Sequence, residues 1–454
     1  MRFDFLQHHL QHQQQHGHGH LSRRDLLKAG AAGTAVAALS GTLLSGVAGA
    51  SDDDDDDDRD WDDHTGPHDG GHNKKYDDSY STAGALDGTW AKDSAARYGK
   101  DDQRGSINEI THQKTAAALG LAAGKRTKTV IMGHMLRNGF PAFIGAPQRR
   151  FDQRLTMLGY APKDPTKWFT TTTTGLAGED EWRKADRERG PLGWNQGGTP
   201  FGTNQLSGHE ERFPEGGTYQ IATQFDGLSH IGVKEVFYNG WKATDFATPT
   251  AVTKIGNEQV GPIVTRGVLI DVLSMKMEKK AAGDLQTIAG KTMLSKSYRI
   301  TIEDIEECMR RRGVKRLEPG DAVVIRTGWH QLAEAALDAG IKTKEGADLA
   351  AQYLGTEPGI YVREAKWLAD HRPALVASDS WALEVLGNPI NAVGGLAFPV
   401  HNELITHYGI RIGEGVISDG LVAHGVGEFC YCYMPNHAYG STAGCTAPFA
   451  LIKA

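Results

Sequence analysis

The chain has 454 residues, with 39% hydrophobic and 23% charged residues, and a formal net charge of −7. That length and balance suit a globular body with a large core and exclude a fibrous or wholly disordered chain. Ten Asp and one Arg between residues 51 and 63 give a local −9, so the rest of the chain carries +2. A near-neutral body has no basic stripe and excludes nucleic acid as the expected partner.

In chain order, the N-terminus is rich in His and Gln, and it precedes a targeting signal. Ser22-Arg23-Arg24-Asp25-Leu26-Leu27-Lys28 resembles a twin-arginine export motif. An Ala/Gly-rich apolar run leads from it to Ala48-Gly49-Ala50, a small-residue cleavage site. The run is long enough to span a bilayer but only mildly apolar, which predicts cleavage at residue 50 and no stable membrane anchor. The exported protein is then periplasmic or extracellular. Metal capture by the His-rich start or the Asp run is the weaker alternative. Residues 51–84 are acidic and almost free of aliphatics. They cannot bury enough apolar surface to offset ordering entropy, so they read as a solvated linker. Residues 85–454 form the folded domain.

Within it, Thr127–Met132 is a β-branched run. The region 161–212 is rich in Thr, Gly and Trp, and reads as an insertion or as loops over a pocket. Gln220-Ile-Ala-Thr-Gln224-Phe-Asp226-Gly-Leu-Ser-His230 carries the densest chemistry. At period two, Gln220, Ala222, Gln224 and Asp226 share one strand face. Converging polar groups on a buried strand need partners, and a cation or substrate would serve. Ile263–Val272 reads as a buried strand. Thr301 and Asp304 form a capping box opening a helix that Gly313 closes. Ala322–Arg326 is a second buried strand. Val362–His371 is an amphipathic helix, and Ala374–Ala377 a short strand. Val400–Tyr408 reads as a helix leading through Gly409 into a strand, with His401 near its start and Glu414 past the turn. Gly427–Met434 is a strand that puts Cys430 and Cys432 on one face, too far apart for an easy disulfide. Alternating helices and strands with no fixed repeat predict a mixed α/β domain. Asp226, His401 and Glu414 together make a plausible set for a divalent cation.

From about Lys100 onward the chain resembles the cyclase-like metal hydrolases, the superfamily of kynurenine formamidase and isatin hydrolase. The family signature His-x-Gly-Thr-His-x-Asp-x-Pro-x-His is matched at Thr223, Asp226 and His230. Ala222 replaces the Gly, Leu228 the Pro, and Gln220 and Gln224 the two leading His. Asp102-Gln-Arg-Gly105-Ser-Ile-Asn108, Gly261-Pro262-Ile-Val-Thr-Arg266-Gly267, Gly320-Asp321 with Arg326-Thr327-Gly328-Trp329, and Gly440-Ser-Thr-Ala-Gly444 also resemble family segments. The resemblance implies a mixed sheet with flanking helices in a swivelling β/β/α-type domain. It also implies a homodimer or homotetramer acting on a small-molecule substrate.

In the family, two His and the Asp bind one metal, and the same Asp with a distant His and a Glu binds a second. Here both leading His are lost, as in the trans-dienelactone hydrolase-like branch, where Gln also stands in these places. The resemblance therefore implies one divalent ion, Zn2+ or Mn2+, on Asp226, His401 and Glu414. Gln220 and Gln224 would be weak oxygen ligands, or hydrogen-bond partners of substrate or water. His230 would be the general base. The implied reaction is hydrolysis of a lactone, cyclic imide or formamide. The alternatives are an exported small-molecule binding protein without chemistry, and a cyclase or dehydratase of secondary metabolism.

Overall fold

The central strands are apolar on both faces because both faces are covered. In Ile263–Asp271, Val268 and Ile270 join one core cluster while Leu269 joins another. In Ala322–Arg326, Val323 and Ile325 divide from Val324 in the same way. Continuous hydrophobic runs, rather than alternating ones, follow from this two-sided burial.

The computed structural model describes residues 75–453, apart from 125, 144–148, 152, 159–202, 206, 214–216 and 388–395. The described residues belong to one unit, His68–Ala454. The His-rich start, the signal and residues 51–74 lie outside them, as does most of the 161–212 insertion. Residues 76–80 bond to the body: Tyr76 donates to Asp370, and Asp78 pairs with Arg299.

The strands in chain order are β1 (Thr127–Ile131), β2 (Arg154–Leu158), β3 (Gly208–Arg212), β4 (Gln224–Asp226), β5 (Ile263–Asp271), β6 (Leu285–Ile288), β7 (Lys291–Leu294), β8 (Ala322–Arg326), β9 (Leu375–Ser378), β10 (Arg411–Glu414), β11 (Glu428–Tyr433), β12 (Ala443–Gly444) and β13 (Phe449–Lys453). Nine of them form one mixed sheet in the order β1-β13-β11-β5-β8-β9-β10-β4-β12. The four central strands, β5, β8, β9 and β10, run parallel. Antiparallel strands flank them on both sides. The fold is therefore the mixed α/β class that the sequence predicts.

Helices Val272–Glu278, Ile302–Arg311 and Val362–Asp370 pack apolar stripes onto one sheet face. The Thr301/Asp304 capping box is present, and such a cap contributes about 1 kcal/mol. Helix His112–Ala122 sits near β5, β11 and β13, and its Ala118 and Ala122 cover Cys430 and Cys432. Both Cys are buried free thiols with sulfurs 3.8 Å apart.

The family-like segments build this frame. Asp102 accepts from Gly105, Asn108 and Tyr238, tying its turn together. Gly105 needs to be Gly, since its φ is +59° and a Cβ there would overlap the Gly409 carbonyl. Buried Asp321 takes a bidentate pair from Arg266, at 2.9 and 2.6 Å.

One local expectation is corrected. The polar face running from Gln220 to Asp226 is not one strand. Only Gln224–Asp226 is extended into the sheet, and Tyr219–Thr223 is a bend. Ala222 adopts φ +57°, which breaks the two-residue alternation. Ala222 thus places a Cβ in a backbone region that favours Gly.

Candidate metal centre

Three side chains converge from two strands and a helix. β4 pairs antiparallel with β10, and Gln224 lies opposite Glu414. Asp226 ends β4 and Glu414 ends β10. His401 comes from the short helix Pro399–His401, which continues as a wider π turn over Asn402–His407. Pro399 at the helix start fits its fixed φ, and Phe398 before it sits at φ +50°. The predicted helix is thus present, with a π segment that the sequence did not signal.

His401 Nε2 lies 3.3 Å from Glu414 Oε1 and 3.7 Å from Asp226 Oδ2. One ligand atom from each of Asp226, His401 and Glu414 falls within 4.8 Å of the others, and all three residues are buried. The predicted triad is therefore assembled. Asp226 Oδ2 is buried with no hydrogen-bond partner among the described residues. Burial first, then the neighbouring Glu414, pushes the Asp226 carboxyl well above the usual carboxylate range. Burial also raises Glu414, opposed by His401. Two buried carboxylates sharing one imidazole are costly unless a cation compensates them. An orphaned oxygen and a mixed oxygen and nitrogen donor set fit a divalent ion.

His401 is fixed from behind. Its Nδ1 lies 2.6 Å from Glu384 Oε1. The same carboxylate accepts from the backbone N–H of Val400 and of His401, each at 3.3 Å. A proton held on Nδ1 by Glu384 leaves Nε2 as the nitrogen that faces Asp226 and Glu414, where a bound cation would take the place of the Nε2 proton. Burial alone would lower the His401 pKa, but hydrogen bonds to Glu384 and Glu414 outweigh it and raise it to about 10. Sequence reasoning missed Glu384. It lies on a loop four residues past Ser380, with no periodicity to mark it.

The two Gln take supporting positions. Gln224 Nε2 donates to Glu414 Oε2 and reaches Asp226 Oδ1 at 3.5 Å, tying the carboxylates together. Gln220 Nε2 lies 3.1 Å from His230 Nδ1. His230 Nε2 stands 4.0 Å from Asp226 Oδ2. Burial, then the charge of His401, lowers the His230 pKa to about 3, so its ring is neutral at neutral pH. All six residues singled out in the sequence thus meet in one place.

Other candidates lie elsewhere. Asp379 accepts from Thr327, Gly328 and His330, so it is a structural carboxylate. His407 stacks on Trp90 at 4.5 Å and bonds Glu403. Phe140, Phe143, Arg149, Tyr353 and Trp381 line a cleft shared with Gln220, Gln224 and Glu414, and none of the five stood out in the sequence.

The buried Asp226, His401 and Glu414 thus form a cluster that could hold a metal ion, set toward one edge of the mixed sheet. A family model described as "Putative cyclase" matches residues 161–385. A solved structure described as a novel cyclase is 27% identical, with a TM-score of 0.55, and the match covers 78% of this chain and 96% of that one. Isatin hydrolase A from Ralstonia solanacearum is 15% identical with a TM-score of 0.43, covering 74% of this chain and 96% of its own. Isatin hydrolase A from Labrenzia aggregata, bound to benzyl benzoate, is 16% identical with a TM-score of 0.41, covering 77% and 100%. No curated protein matches the chain. The chain is thus similar to the cyclase family over residues 161–385, and to a solved cyclase over most of its length. A twin-arginine signal model matches residues 20–40, so the protein is exported by that route to a periplasmic or extracellular location. No helix among the described residues is long and apolar enough to cross a membrane.

Proposed function

We propose that the protein is an exported metal-dependent hydrolase of a small cyclic ester, imide or amide. The observation that carries this reading is the buried Asp226-His401-Glu414 cluster with its unpartnered Asp226 oxygen. These three residues would hold one divalent ion, zinc or manganese. When bound, such an ion supplies Lewis acidity, polarising a carbonyl and easing the ionisation of water.

The chain's own residues supply the rest. Glu384 holds the His401 tautomer and orientation. Gln224 keeps Asp226 and Glu414 at their spacing. The amide nitrogens of Gln220 and Gln224 face His230 and the carboxylates, which favours hydrogen-bonding roles over direct ligation for both. The Gln220 amide can present either end to His230 by a half-turn. With its oxygen toward Nδ1–H, His230 keeps a lone pair at Nε2 on the Asp226 side. There His230 takes a proton from the attacking water and returns it to the leaving group.

The test is elemental analysis of the exported protein, with assays of lactones, imides and formamides with and without chelator. Chelator-sensitive hydrolysis supports the reading. A metal-free protein that binds small acids without turning over any of the panel would favour a binding protein on the same fold.

A further inference from the structure

Glu357 is fully buried, and no cation among the described residues pairs with it. Its two carboxylate oxygens instead accept the backbone N–H groups of Trp381 and Ala382, each at 2.9 Å. Burial pushes its carboxyl well above the usual carboxylate range, and the bond from Trp381 is the first to oppose that push. An acid kept in such a place is costly, and here its bonds hold backbone.

The backbone it holds is strained. The Glu384 N–H donates to the Ala382 carbonyl and closes a γ-turn around Leu383, whose φ is +61°. A γ-turn with positive φ at its centre is the rare, strained hand, and Leu383 is a bulky residue for it. Its side chain is fully buried in the core. Such a conformation persists only where its surroundings over-determine it. Residues 357–360 are those surroundings. Besides the two carboxylate bonds, Ile360 N–H donates to the Leu383 carbonyl at 3.3 Å, Val385 N–H to that of Ile360 at 2.9 Å, and Leu386 N–H to that of Glu357 at 3.0 Å. Gly359 lies against the turn itself, and a Cβ there would overlap the Leu383 carbonyl and the Glu384 backbone. The residue leaving the turn is Glu384, with its Oε1 2.6 Å from His401 Nδ1. The turn sets the direction of the Glu384 Cα–Cβ bond, so a loosened turn carries the carboxylate off the imidazole.

We infer, building on the metal-centre reading above, that Glu357 is a positioning residue for that centre. It clamps the strained turn at Leu383 so that Glu384 meets His401, and it thereby sets metal affinity while touching neither the ion's ligands nor the substrate.

Two readouts on the full chain test this. One is zinc affinity, by competition with a chromophoric chelator. The other is the His401 Nδ1–H proton resonance of the metal-free protein, seen by 15N-histidine labelling and assigned by its loss in His401→Ala. Urea unfolding of the metal-free form reports stability separately. Glu357→Gln turns an NH2 toward one of the two backbone N–H groups. It should weaken zinc about 3- to 10-fold, part of the roughly 10- to 100-fold that losing a ligand's outer partner costs. The resonance should move upfield as the bond to Glu384 lengthens. Gly359→Ala presses on the same turn from another side and should change both readouts in the same direction. In Glu384→Ala no carboxylate is left to aim, so adding Glu357→Gln should leave zinc affinity unchanged. If Glu357→Gln lowers stability but keeps the wild-type zinc affinity and resonance, Glu357 only supports the fold and the inference is overturned. It is overturned equally if Glu357→Gln weakens zinc as much with Glu384→Ala in place as without it. A wild type that takes up no zinc, with the resonance still moved by Glu357→Gln and Gly359→Ala, would sink the metal reading while the clamp on His401 stands.

Discussion

Replacing Glu384 by Gln tests how the His401 imidazole is held. The carboxylate is fully buried and meets three donors. Oε1 takes the His401 N–H and Nδ1, and Oε2 takes the Val400 N–H. In the variant, the best orientation keeps the amide oxygen on His401 and turns the NH2 toward Val400. One buried donor is then orphaned, at about 1–3 kcal/mol of stability. The imidazole keeps its tautomer but loses the charge that makes Nε2 a stronger ligand. Losing such a partner costs roughly 10- to 100-fold in metal affinity, or about 1.4–2.7 kcal/mol. Removing the carboxylate also frees part of what holds a proton on His401, which works the other way and favours the low end of that range. The assay is zinc competition against a chromophoric chelator, with urea unfolding of the metal-free form to report stability separately. Loss of stability with unchanged zinc affinity would show that Glu384 only fills space, and would refute the orienting role.

Three further outcomes are expected. His401→Ala should lose both the ion and turnover, read by elemental analysis and by assay. His230→Ala should keep the ion while turnover falls by about 10²- to 10⁴-fold, and full turnover in that variant would remove His230 as the base. His330 gives a pH test away from the metal centre. Its Nδ1 and Nε2 lie 3.1 Å from Asp379 and Asp419 respectively. Burial alone would lower its pKa, but the two carboxylates outweigh it and raise it from 6.5 to about 9. A raised folded pKa contributes stability that is fully present below the unfolded value and is lost as pH climbs through the folded one. The wild type should therefore lose about 3 kcal/mol across that window relative to His330→Gln. Parallel pH profiles of urea unfolding would contradict the assignment.

Much of the fold was legible because it is written locally. The apolar runs of β5 and β8 and the Thr301/Asp304 box carry their structure in adjacent residues. The Gln220–Asp226 alternation misled, because a positive φ at Ala222 is a backbone property that residue type alone does not announce. Gln220 reaches the site through a bend rather than a pleat. The pairing of Glu414 with Gln224 joins strands 190 residues apart, which no local pattern encodes. Family resemblance supplied that link by aligning His401 and Glu414 with known roles. It gave no signal for Glu384, whose importance exists only once the chain has folded against His401. Arg149, Tyr353 and Trp381 were equally invisible, since their shared cleft is assembled from distant loops and helices.

Anomalous diffraction from crystals of the zinc-saturated protein reaches the heart of the matter. One peak should lie among Asp226, His401 and Glu414, at about 2.0–2.2 Å from their ligand atoms. A saturated crystal with no density there, or with its zinc held only by other side chains, would contradict the account.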